Sequence, residues 1–398
     1  MTAILPLTSH DDTRWPRDLV ALVAARAVNQ LGAFAMSFLA VTLVEAYGAS
    51  LATAGRVVAL FGLATIPSRL VGGRMADRLG RRPTIVVGLV GCAAALTVIA
   101  ASPGVVGAAV GAVLLGLAFE IYEPPSQALL AELVPAERRP QAFGLLGAAL
   151  AAATVAAGGL AALLGGVDLR LLFVADAATC LAAAALVVLL VREPTHEPAD
   201  EPADERADTD ANGSPWRDRR LLVMLAVGTG SALAWNLAST MLPLTVAARG
   251  IDPARTGWIL AAAAVVTIGG QRLLRRAAAR PFLLMALGLV VVACGFAVVA
   301  YADALALLAA GYAVVALGQV FLLGPPYAVV AGLCDDRSRA GYLAAFGTCW
   351  GLAQTLGPLA STRLFAAGAP VVWLAGAALC LLLAAVQPIA ARAVTPGR

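Results

Sequence analysis

The sequence predicts an all-α integral membrane protein of twelve transmembrane helices arranged as two pseudo-symmetric six-helix bundles. Three observations carry this. Apolar residues make up 61% of the 398 positions and charged residues only 13%, against about 25% in soluble domains. The apolar residues gather into runs of roughly helical membrane-crossing length. The two halves of the chain repeat one another at a nearly constant offset.

The runs fall at about 20–46, 52–72, 84–101, 105–131, 142–164 and 169–191, then at 221–246, 254–271, 282–301, 304–332, 344–366 and 370–391. The eighth is the shortest, its ends set by Arg255 and Arg272 rather than by hydropathy. Between the two sets, residues 193–220 are charged, proline-rich and without apolar period, as expected of a disordered cytoplasmic linker. The expected units are therefore an N-terminal bundle (1–192), the linker (193–220) and a C-terminal bundle (221–398).

Orientation follows from the basic residues. All 28 are arginines, and most fall in the tails and in loops on one side if the N-terminus is cytoplasmic. By the positive-inside rule both termini are expected in the cytoplasm of a multi-pass protein of the cell membrane. The net charge of +4 then reflects topology and contact with lipid, not nucleic acid. The first apolar run is too long for a signal peptide and is expected to remain as helix 1.

Other functions are excluded by what the chain lacks. With no lysine it has no G-x-x-x-x-G-K-[ST] phosphate loop. Its six cysteines are scattered singly, without metal-ligand or disulfide spacing, and its two histidines, His10 and His196, lie outside the apolar runs. No catalytic constellation, metal site or cofactor is expected.

The internal repeat has three parts. Ser37–Gly48 aligns with Ser239–Gly250, and Pro124-Pro125 with Pro325-Pro326. Arg74, Arg78, Arg82 and Pro83 match Arg272, Arg276, Arg280 and Pro281, although Arg275 replaces Asp77 and Ala278 replaces Gly80. Parallel repeats of this kind suit a transporter whose halves rock about a central site.

The stretch from Gly73 to Pro83 holds four arginines and one aspartate between two apolar runs, so a short charged loop at the membrane surface is expected. Its pattern, G-x-x-x-D-R-x-G-R-R between the second and third helices, resembles the signature loop of the major facilitator superfamily of secondary transporters. The resemblance covers nearly the whole chain and implies secondary transport of a small molecule, with helices 1, 4, 7 and 10 lining the cavity. It further implies that Asp77 accepts hydrogen bonds from the N-terminal end of helix 11 near Gly347. Arg78, Arg81 and Arg82 would form a charge relay between the halves, with Gly73 and Gly80 allowing the close approach and the turn.

Helical spacing selects candidate cavity residues. Arg26, Asn29, Gln30, Ala33 and Ser37 share one face of helix 1, and Gly116, Glu120, Glu123 and Gln127 one face of helix 4. Ser231, Trp235 and Ser239 with Asn236 mark helix 7, and Gln319 and Tyr327 mark helix 10. A membrane carboxylate must face water or a partner or be protonated. Glu120 and Glu123 are thus the expected proton-coupling or substrate-binding groups, with Arg26 as counter-ion. Structural anchoring of helix 4, and snorkelling of Arg26, are the alternatives.

Asp176, near the N-terminus of helix 6 with Arg170 close by, reads as a structural anchor, and Arg69 as a residue snorkelling to the cytoplasmic surface. Helix 5 lacks the proline usual in the drug–proton antiporter branch, and helix 4 lacks that branch's membrane arginine. Proton-coupled efflux of hydrophobic or cationic compounds by a monomer is the first expectation; proton-coupled import and uncoupled facilitation are the other two.

Overall fold

The structure, a computed structural model, describes residues 15–135, 138–192, 215–277, 280–334 and 339–394, and within them the fold is helical. The first expected span is two helices, α1 (Arg17–Gln30) and α2 (Ala35–Glu45), separated by turn residues 31–34. It is followed by α3 (Leu51–Leu79) and α4 (Arg81–Ala101). The fourth span is again broken, into α5 (Val105–Phe119) and α6 (Glu123–Glu132). The first half ends with α7 (Arg139–Gly165) and α8 (Arg170–Leu190).

The second half comprises α9 (Arg219–Ala248), α10 (Thr256–Ala277), α11 (Pro281–Tyr301), α12 (Leu305–Ala331), α13 (Arg339–Ala366) and α14 (Ala369–Val394). Among the described residues, joining α1 to α2 and α5 to α6 leaves twelve spans, and ten of these are both long and apolar enough to cross a membrane by length and composition alone. The protein is a multi-pass membrane protein.

The expected linker lies outside the described residues as far as 214. Its last residues are ordered: Pro215–Arg217 forms a short turn of 3-10 helix and α9 begins at Arg219. Asp218 caps that helix by accepting the Arg220 backbone N–H.

The diproline lies at the break in the fourth span and favours it. Pro124 and Pro125 have no N–H to give to the preceding turn, and their rings crowd its carbonyls. At the end of α5 the Glu120 backbone N–H donates to Ser68 Oγ of α3 at 3.0 Å. The matching Pro325-Pro326 lies inside the unbroken α12, so a diproline is not sufficient to part a helix.

The signature stretch is a correction to the sequence reading. It is not a loop: α3 continues through Gly73 and Asp77 to Leu79, and α4 begins at Arg81. The turn is Gly80 alone, at φ 89°, a left-handed region that favours glycine. Ala278, its counterpart in the second half, lies outside the described residues.

α1–α8 pack chiefly among themselves, and so do α9–α14. Three seams join the halves: α3 with α13, α7 with α10, and α2 with α9. One end of the bundle gathers the Arg17, Gly80 and Arg219 ends of the helices, tied by contacts such as Arg192 N–H to Asp18 and Tyr342 to Asp218. At the other end lie Tyr47, Arg170 and Arg249.

The seams are tight toward the second end. A Cβ at Gly62 would lie 2.5 Å from the Gln354 carbonyl oxygen, and one at Gly257 only 2.4 Å from the Ala162 nitrogen. Nearer the arginine-rich end, a Cβ at Gly73, Gly144 or Gly269 would meet nothing within 4 Å among the described residues. The halves therefore meet at one end and part at the other.

Candidate transport cavity

Two adjoining cavities lie in the interior among the described residues. The first, of about 360 Å³, lies in the N-terminal half and is lined by residues of each of its helices, α1 to α8, and of the α5–α6 break. The second, of about 180 Å³, lies on the seam, between α2 and α3 on one side and α9 and α13 on the other. Met36 and Phe119 line both, so they adjoin.

Arg26, Asn29, Gln30 and Ala33 line the first cavity as their spacing anticipated, and Ser37 lines the second, beyond the break in helix 1. Arg26 is buried and forms an ion pair with Glu123. Its guanidinium also lies 5.0 Å from the centre of the Tyr122 ring, a cation–π distance. Gln127 Nε2 donates to Glu123 Oε1 at 2.9 Å, so Gln127 supports the glutamate from the next turn without lining either cavity.

Glu120 has a different partner. Arg69 Nη2 stands 3.1 Å from Glu120 Oε2, and both line the first cavity. Arg69 is thus no simple snorkelling residue; it reaches inward from α3 to a carboxylate that the helix break places within range.

Asp176 also lines this cavity. Arg170 does not attend it: its guanidinium stacks over Tyr47 at 4.5 Å and donates to the Ala46 carbonyl at 3.3 Å. Asp176 Oδ1 instead accepts from the Cys180 thiol at 3.7 Å, and Asn29 Nδ2 donates to Cys180 Sγ at 3.3 Å.

Around the second cavity the walls are aromatic and polar. Trp235 and Trp350 meet edge to face with centroids 5.8 Å apart, and Phe61 and Phe119 do so at 5.5 Å. Trp235, Asn236 and Ser239 line it from α9, and Gln354 from α13.

Several expected lining residues lie elsewhere. Gly116 packs on α3, where a Cβ would sit 2.4 Å from the Phe61 carbonyl oxygen. Ser231 bonds back to the Val227 carbonyl. Gln319 is buried within the C-terminal half and lines neither cavity, and Tyr327 accepts a hydrogen bond from Trp350 Nε1 at 3.0 Å behind the cavity wall. Conversely, helical spacing missed Tyr122, Asp176 and Trp350. Their helices were not among those expected to line the cavity, or, for Tyr122, the residue lies in the break itself.

The signature residues divide. Arg81 pairs with Glu132 of α6, and Arg82 donates to the Val187 and Val188 carbonyls of α8, all within the N-terminal half. Asp77 and Arg78 are exposed and have no hydrogen-bond or ion-pair partner among the described residues. A Cβ at Gly347 of α13 would meet Arg69 Nη1 at 3.3 Å, so in this conformation Arg69 stands where the resemblance implied Asp77.

Comparison with known proteins agrees with this architecture. The multidrug resistance protein MdtH of Cronobacter sakazakii is 27% identical over 71% of this chain and 72% of its own length. A Na(+), Li(+), K(+)/H(+) antiporter of Planococcus maritimus is 31% identical over 33% of this chain and 32% of its own. The nucleoside transporter NupG superposes with a TM-score of 0.79 at 14% identity, covering 94% of this chain and 98% of that one. Twelve spans in two halves around a charged cavity, together with a match of residues 22–358 to the sequence model of the Major Facilitator Superfamily, place the chain in that superfamily of transporters.

Proposed function

We propose that the protein is a proton-coupled exporter of small hydrophobic or cationic compounds, working as a monomer in the cell membrane with both termini in the cytoplasm. It is a transporter and not an enzyme. The observation that carries this reading is the pairing of an ionisable chamber with an aromatic one inside a molecule closed at one end only. A flat apolar cation suits the Trp235–Trp350 and Phe61–Phe119 walls, through ring faces and buried apolar area. The names of the MdtH and antiporter relatives support export and ion exchange.

Coupling is assigned to Arg26, Glu120 and Glu123. Each glutamate is held by an arginine, Glu123 by Arg26 and Glu120 by Arg69. A proton arriving on either glutamate removes one charge of its pair and frees the arginine. Because such pairs are geometrically demanding in a low-dielectric interior, losing one shifts the balance between the two arrangements of the halves. With the positive-inside orientation, the open end faces the cytoplasm, where an exporter collects its substrate. Closure there would bring Asp77 onto the N-terminal end of α13, with Arg78, Arg81 and Arg82 alongside.

The test is dye transport in proteoliposomes with an imposed pH gradient. Ethidium should accumulate against its own gradient on the proton-rich side, and a protonophore should abolish this. Flux indifferent to pH would make the protein an uncoupled facilitator, and dye moving with the protons would make it a symporter.

A further inference from the structure

The first cavity holds one carboxylate more than it holds cations. Its arginines are Arg26 and Arg69, and each is engaged by a glutamate, Glu123 and Glu120 respectively. Asp176 is left over. It is only 6% exposed, and the cationic side chain nearest in sequence, Arg170, is turned away onto Tyr47.

The groups that face Asp176 are few. From α1 come Arg26, committed to Glu123 and Tyr122, and Asn29; from α4 comes Cys92; from α8 itself comes Cys180. α7 and α2 carry one ionisable side chain each within their helices, Arg139 and Glu45, and both lie at helix ends remote from this depth. A thiol is a weak donor, and the second carboxylate oxygen has no partner among the described residues. A lone carboxylate at membrane depth is costly unless it is protonated or meets a cation.

Asp176 also lies against the break in helix 1. A Cβ at Gly32 would sit 2.4 Å from both the Asp176 Cα and Oδ1. Only a glycine lets the acid come so close to the turn from which α2 departs toward α9.

We propose that Asp176 is a binding site for the positive group of the substrate, and that the cation displaces its proton. This rests on the proposed function and specifies which acid meets the substrate. In the exchange, the neutral acid loses a proton to water and its carboxylate pairs with the arriving cation, so the chamber's net charge is unchanged. Glu120 and Glu123 keep their arginines throughout this step.

The probe is tetraphenylphosphonium, added to purified protein in weakly buffered detergent with a pH indicator. Wild type should release about one proton per cation bound, and its affinity should rise about tenfold per pH unit while the acid titrates. Asp176→Asn should lose both the release and the pH dependence. Should the asparagine variant not fold, the wild-type infrared band of a protonated carboxylic acid must still diminish as the cation binds. Undiminished proton release in Asp176→Asn, an unchanged band, or wild type that does not bind the cation overturns the assignment. If pH-driven export persists in any of those cases, the proposed function stands without it. If wild type shows no pH-driven export at all, the function itself fails.

Discussion

Arg69 and Glu120 are bound twice over: the guanidinium lies 3.1 Å from the carboxylate, and Ser68, one residue earlier, accepts the Glu120 backbone N–H at 3.0 Å. α3 thus holds both the charge and a backbone N–H of Glu120 at the point where the fourth span breaks. Ser68→Ala would leave that N–H without its partner, at a cost of about 1 kcal/mol. The expected result is a modest fall in thermal stability in detergent, with pH-driven transport weakened because the carboxylate loses its fixed position. A full cost with unchanged transport would make the serine purely structural.

The Arg26–Glu123 pair should respond asymmetrically to truncation. Removing one partner of a buried pair costs about 3–5 kcal/mol, but Glu123 is 36% exposed at its side chain, which screens part of this. Glu123→Gln should therefore destabilise by about 1–3 kcal/mol, leaving Arg26 buried beside Tyr122. Arg26→Met combined with Glu123→Gln should recover much of that loss. Thermal unfolding of the two single variants and the double variant measures the coupling; additive losses would mean the pair contributes nothing as a pair.

Asp77 is exposed in the conformation described here, so Asp77→Asn should leave this state intact and weaken the opposite one. A carboxylate at a helix N-terminus is worth about 0.3–1 kcal/mol, up to about 2 when partly buried. At about 1.4 kcal/mol the ratio of the two states changes about tenfold. Cysteine labelling from the arginine-rich end, at positions lining the first cavity, should rise accordingly. Unchanged labelling and transport would reduce the motif to a topology signal.

Asp218 links stability to pH. Partial burial opposes its charge, but hydrogen bonds from the Arg220 side chain and backbone and from Tyr342 outweigh this and hold the carboxyl below its usual range. A depressed folded value means the contribution is complete above the unfolded value of about 3.9 and is lost as pH falls through the lower folded one. Asp218→Asn should therefore lower thermal stability at neutral pH and flatten its decline in acid. Thermal unfolding between about pH 2 and 6 would show it, and parallel curves for variant and wild type would rule it out.

The number and order of the spans, the repeat of the halves and the surplus of charge on the fourth helix were all determined by the sequence alone. The reason is local: in hydrocarbon each helix must satisfy its own backbone, so apolar length and charge position are enough to define it. The diproline likewise marked where a span could break, although Pro325-Pro326 shows that the same pair can sit in an unbroken helix. The break in helix 1 at residues 31–34 carries no proline and was not legible.

Only the tertiary structure decided which charges meet. Arg26 with Glu123 followed from two cavity faces, but Arg69 with Glu120, the isolation of Asp176 and the Trp235–Trp350 contact depend on how far each helix is rotated and at what depth it crosses its neighbours. Those quantities arise from packing between residues far apart in the chain, as where Gly32 admits Asp176 and Gly62 admits Gln354, and no period within one helix encodes them.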